Sequence, residues 1–159
     1  KIGLLVDFES MLGENLSLIP ELVIGRGRLV SDSIMVDESI AFENMKSILQ
    51  LGDNYTSTFH GIDIKFSVAA GRMTVEPFTT SVGNLKLTVS GNHGLDNTLN
   101  YLVKTDMPRS DLGSPINSLI NLFSGSLSAF GLNVPIEESI KMDIKITGSF
   151  GKPVITPLF

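Results

Sequence analysis

Apolar and polar residues alternate with a period of two along most of this chain. In 61–69, Ile62, Ile64, Phe66 and Val68 alternate with Asp63, Lys65, Ser67 and Ala69. In 84–90, Leu85, Leu87 and Val89 alternate with Lys86, Thr88 and Ser90. Toward the end, Ile140, Met142, Ile144 and Ile146 alternate with Lys141, Asp143, Lys145 and Thr147. Each stretch puts an apolar line on one side of a strand and a polar line on the other, the mark of an antiparallel sheet with one wet face. A parallel sheet covered on both sides would read as unbroken apolar runs, which this chain lacks.

Less regular strands are predicted at 2–9 (Leu4, Val6, Phe8), 22–30, 72–82 and 97–107 (Leu99, Tyr101, Val103, Met107). Gly25 and Gly27 weaken the second of these strands and permit bends or close backbone approach, while Pro77 marks an edge, a bulge or a break. Turn signals fall at Ala70-Gly71, at Val82-Gly83-Asn84 and at Gly91-Asn92-His93-Gly94. Connections this short imply a meander of neighbouring strands, because parallel crossovers need a dozen or more residues.

Two segments follow a helical period instead. In 38–51, Ala41, Phe42, Met45, Ile48 and Leu49 form a stripe, with Asp37 placed to cap its start and Gly52 its end. In 115–129, Ile116, Leu119, Ile120, Phe123 and Leu127 form a second stripe, opened by Ser114-Pro115 and weakened by Gly125. The expected fold is therefore α+β: a curved, mainly antiparallel β-sheet meander with two amphipathic helices packed on one face. No linker or low-complexity tract divides residues 1–159, so a single domain is expected.

Composition narrows the function classes. Apolar residues make up 42% and charged residues 18%, yet no run approaches the roughly 20 apolar residues that span a bilayer. A formal net charge of −5 lacks the basic field on which nucleic-acid affinity or a polybasic lipid-headgroup contact depends. Cysteine is absent, which removes disulfides and thiolate metal sites. The chain opens at Lys1 inside what reads as a strand, as a piece of a longer protein would, with any export signal or anchor upstream.

Catalytic apparatus is hard to find. His60 precedes a strand and His93 lies in the glycine turn, so both read as ordinary surface or turn histidines without ligand spacing for a metal. No serine sits in a G-x-S-x-G elbow, and Gly25-Arg26-Gly27 lacks the third glycine and Lys-Ser/Thr pair of a phosphate loop. Arg26 and Arg28 fall on one solvated side. In the charged segment Asp106–Asp111, either Asp111 or Ser110 makes turn hydrogen bonds or Arg109 pairs with a neighbouring carboxylate, rather than an acid–base pair forming. Asn92, Asp96 and Asn97 lack the calcium-loop spacing and read as a plain turn. The chain is expected to be non-enzymatic and to use no cofactor or metal.

What remains is apolar surface. A ten-residue strand is about 33 Å long, whereas helices of about 14 residues reach only about 21 Å. Some of the sheet face is then either a bare apolar trough or covered by helices and loops. Uncovered apolar patches of a few hundred Å² mark lipid or partner sites.

The order of features resembles the C-terminal region of AsmA-family proteins, especially Bacteroidetes-type members. The likeness runs from the Gly25-Arg26-Gly27-Arg28-Leu29 strand and the 38–51 helix through Val75–Tyr101 and Met107-Pro108-Arg109-Ser110. It continues into the second helix, Val134-Pro135, Ile140–Gly148 and Lys152-Pro153-Val154. That resemblance implies a periplasmic module, tethered to the inner membrane by an N-terminal anchor in the full-length protein. It also implies a part in outer-membrane biogenesis through an apolar groove that shields phospholipid or another envelope lipid. Candidate groove residues are Ile62, Ile64, Phe66, Val68, Leu85, Leu87, Val89, Ile140, Met142, Ile144 and Ile146. The alternative is a scaffold or assembly factor binding envelope proteins along an exposed strand edge.

Overall fold

A computed structural model of the chain describes residues 1–36, 40–49, 51–52, 55–108 and 139–158. Eight strands follow one another in space as they do in sequence, each antiparallel to the next, in one open sheet. They are β1 (Ile2–Glu9), β2 (Ile24–Met35), β3 (Thr58–Ala69), β4 (Arg72–Val82), β5 (Leu85–Gly94), β6 (Thr98–Pro108), β7 (Ser139–Ser149) and β8 (Lys152–Leu158). Among the described residues one helix, α1 (Ile40–Leu49), lies between β2 and β3, and a 3-10 turn at Pro20–Leu22 precedes β2.

The registers align the period-two patterns of all eight strands. Leu4 faces Leu29, Leu29 faces Ile64, and Val68 faces Met73. Val89 faces Val103, which faces Ile144, and Ile146 faces Ile155. Directly paired residues point to the same side, so one side of the whole sheet is apolar. The other carries Arg28, Asp63, Lys65, Lys86, Lys104 and Lys145.

Two irregularities preserve this sorting. The β4–β5 register slips by one residue between Val75 and Phe78, at Glu76-Pro77, so Val75, Phe78, Thr80 and Val82 all reach the apolar side. Pro77 therefore marks a bulge. In β3 the alternation reverses at Gly61, whose φ of 68° only glycine adopts at no cost. Beyond it Phe59 and its partner Ile34 turn to the same side as Ile62 and Ile64.

The core lies where α1 crosses one end of the apolar side. Phe42 and Met45 of the helix, with Leu51 and Tyr55 beyond it, pack on Val82, Leu85, Leu87, Val103, Met142 and Ile144. Phe42 also meets Phe59 edge to face, with ring centroids 5.8 Å apart, within the range for a favourable aromatic pair. Val82, Leu85 and Ile144 are fully buried.

The α+β expectation is overturned. Strand accounts for 69% and helix for 9%, which makes this an essentially all-β open sheet carrying one helix among the described residues. The strands outrun their alternating cores: β2 continues to Met35, and β5 passes through the glycine cluster to Gly94. β8 has no counterpart among the predicted strands, because Pro153 and Pro157 suppress the signal. Of the helix expected at 38–51, Ile40–Leu49 is helical and Leu51 is not, while 38, 39 and 50 lie outside the described residues. The expected helix at 115–129, the cap at Asp37 and the turn or ion-pair roles expected of Arg109, Ser110 and Asp111 lie outside the described residues. No described helix is long and apolar enough to cross a membrane.

Candidate functional site

Beside the helix-covered core, the apolar side opens into a cavity of about 380 Å³. That volume falls within the ~300–1,000 Å³ of small-molecule sites. Ile62, Ile64, Phe78, Leu87, Val89, Val103 and Ile146 form its floor across β3 to β7. Ile34, Val36 and Phe59 close one wall, and Ala41, Phe42 and Met45 of α1 close another. Among the described residues Thr80 is the one polar member of the lining, and its hydroxyl donates to the His60 carbonyl oxygen at 2.8 Å. Among the described residues the cavity therefore presents no unsatisfied donor and no charge. It can hold hydrocarbon but offers nothing to orient a polar substrate.

The predicted groove residues divide across this surface. Ile62, Ile64, Leu87, Val89 and Ile146 line the cavity. Leu85, Met142 and Ile144 are buried under α1 and belong to the core, with Leu87 shared between the two. Phe66 and Val68 sit on the same side but outside the cavity, nearer β1 and β2. Ile140 keeps the register of its strand opposite Met107. Groove and covered core are thus both present, side by side on one face. Phe78 and Ile34 went unrecognised in the sequence, since each lies just past a break in alternation.

Beyond the cavity the apolar face continues toward β1, uncovered by any described residue. A Cβ on Gly27 would fall within the Phe66 ring, and one on Gly25 would crowd Phe8. Glycine at 27 therefore lets Phe66 lie flat across β2, where a larger residue would lift it. Ile2, Leu4 and Phe8 on this face are each more than 60% exposed.

The remaining polar groups are engaged structurally. Arg28 makes two 2.7 Å bonds to Asp63 across β2 and β3 on the polar face, and this fork holds the Asp63 carboxyl below its usual range. Asp96 accepts from the Thr98 amide at 3.1 Å and its hydroxyl at 2.7 Å, which lowers the Asp96 pKa in turn. Arg72 bonds Asn92 and Thr98 at 2.9 Å each. The plain-turn reading thus fits Asp96, while Asn92 lies within β5.

His93 is not a turn histidine. It lies in β5, half-buried, with Nδ1 2.7 Å from the Tyr101 hydroxyl and its ring edge-on to Phe150 at 5.3 Å. Burial, reinforced by the nearby Arg72 charge, lowers its pKa, and burial raises that of Tyr101. His60 lies inside β3 and is exposed. Among the described residues no cluster of three or more histidine and carboxylate groups could hold a metal ion.

Comparison of the chain with protein-family models, with curated proteins and with solved structures finds no match.

Proposed function

We propose that this chain binds the acyl part of a lipid along the apolar face of its sheet and catalyses no reaction. The observation that carries this reading is the lining of the cavity: one face of an open sheet holds a concavity whose single polar side chain among the described residues is already satisfied internally. Burying hydrocarbon there gains about 0.8 kcal/mol per methylene. A polar ligand entering it would lose its water with no hydrogen bond in return.

The uncovered face toward β1 extends the same chemistry, so a chain longer than the cavity has apolar surface to follow. In the setting suggested by the AsmA-like order of features, the module would work in the periplasm of a tethered protein. There it would shield phospholipid acyl chains during outer-membrane biogenesis. Native mass spectrometry of the gently purified chain tests the binding step. Adducts with the masses of phospholipids or fatty acids, displaced by added lipid, are expected. A bare protein mass that stays bare after incubation with phospholipid vesicles would contradict it.

A further inference from the structure

Among the described residues the two outer edges of the sheet, β1 and β8, carry no further strand, and the registers show that they differ chemically. Ala70 and Gly71 form a two-residue turn with φ of 48° and 70°, the left-handed pair that closes a tight hairpin. Its flanking residues Ala69 and Arg72 are therefore a hydrogen-bonded pair, and such pairs alternate with non-bonded ones along each ladder. Carrying that alternation through the registers to β1 directs the amide and carbonyl groups of Gly3, Leu5, Asp7 and Glu9 at β2. Those of Ile2, Leu4, Val6 and Phe8 point outward, at the open edge.

The same alternation carried the other way sends the backbone groups of Pro153, Ile155 and Pro157 outward from β8. Two of those three positions are proline and donate nothing, a common device against strand addition. The β8 edge is blocked and the β1 edge is open.

We infer that β1 pairs antiparallel with β1 of a second copy of this chain, about a two-fold axis through Leu5. In that register Ile2 faces the partner's Phe8, and Leu4 faces the partner's Val6. These are the outward-pointing positions, so each pair exchanges hydrogen bonds. Leu5 is 75% exposed on the side of the sheet that carries Arg28 and Asp63. It then meets the partner's Leu5 at a non-bonded pair, where side chains approach most closely. At each end Lys1 lies opposite the partner's Glu9, pairing opposite charges twice. The two sheets become one, with a continuous apolar face, and the blocked β8 edges end the assembly at two copies. This inference is independent of lipid binding.

Sedimentation equilibrium on the whole chain across a concentration series tests it. A species of twice the 17.2 kDa chain mass is expected to grow with concentration. The Val6→Pro variant removes an outward donor without touching the bonds to β2, and should weaken the dimer by about tenfold or more. Glu9→Lys and Lys1→Glu should each weaken it alone, and an equimolar mixture of the two should restore it. That charge exchange decides the matter even if the proline variant does not fold. A chain that stays monomeric at every concentration overturns the inference, as does a dimer indifferent to both charge changes.

Discussion

Placing a carboxylate at position 64 should abolish ligand binding while leaving the sheet folded. Ile64 lines the cavity, is only half-buried, and does not belong to the core cluster under α1. Losing its partial burial forfeits a fraction of the ~1.5–3 kcal/mol gained by fully burying such a side chain. An Ile64→Glu protein therefore stays within about 2 kcal/mol of the parent, inside the ~5–15 kcal/mol of a typical domain. In the empty cavity the carboxylate keeps contact with water. An acyl chain laid over it strips that water away, and the desolvation costs several kcal/mol. At ~1.4 kcal/mol per tenfold, affinity falls at least about a hundredfold.

Leu85→Ala is the counterpart. Leu85 is fully buried and does not line the cavity, so its truncation should cost about 2–5 kcal/mol of stability. The affinity of the remaining folded fraction should hardly change. Urea denaturation and displacement of a fluorescent fatty acid, run on both variants, supply the four numbers. Unaltered affinity in Ile64→Glu would refute the reasoning, and so would an unfolded Ile64→Glu protein beside a stable Leu85→Ala one.

Other positions give separate checks. Gly27→Ala should destabilise by about 1–3 kcal/mol through overpacking against Phe66, and Phe66→Ala in the same chain should cancel part of that loss. A double-mutant cycle in urea showing strict additivity would contradict the flat seat proposed for Phe66. Burial, with the Arg72 charge beside it, lowers the His93 pKa in the folded chain, so the unfolded chain binds the extra proton first. Stability should therefore fall as pH drops through the ordinary histidine range near 6.5 and level off below the lowered folded value. A His93→Gln protein should lose that slope in melts taken between neutral and mildly acid pH. The Arg28–Asp63 fork is solvent-exposed, so Asp63→Asn should leave the melting temperature nearly unchanged at moderate salt. A large drop would show that the polar face bears more of the fold than its exposure implies.

The sheet was legible in the sequence wherever alternation ran unbroken, as from Ile62 to Val68 or Leu85 to Val89. A strand with one dry face has no other way to sort its side chains. Legibility ended at the departures. Gly61 and the Glu76-Pro77 bulge each change the side on which later residues fall, so Ile34, Phe59 and Phe78 could not be assigned to the cavity. The cluster Gly91-Asn92-His93-Gly94 carries turn-forming residues but pairs with β4 as strand, and the actual turn comes at Leu95–Asn97. β8 was hidden by prolines that an edge strand tolerates where their missing donors point outward.

The division of the apolar face into core and cavity had no sequence signal. Leu85 and Leu87 occupy equivalent positions in one strand, and only the path of α1 over them separates their roles. Fold class was misjudged for a related reason, since the amphipathic stripe at 38–51 weighs heavily in the sequence but covers only one end of the finished sheet.

The central claim is that hydrocarbon occupies the apolar side beside α1. Methyl-labelled isoleucine, leucine and valine followed by NMR during titration with a fatty acid tests it most directly. Ile62, Ile64, Val89 and Ile146 in the cavity should shift and saturate together, while Val30, Leu102 and Val154 on the polar side stay still. Shifts confined to the polar side, or no shift at saturating fatty acid, would contradict the account.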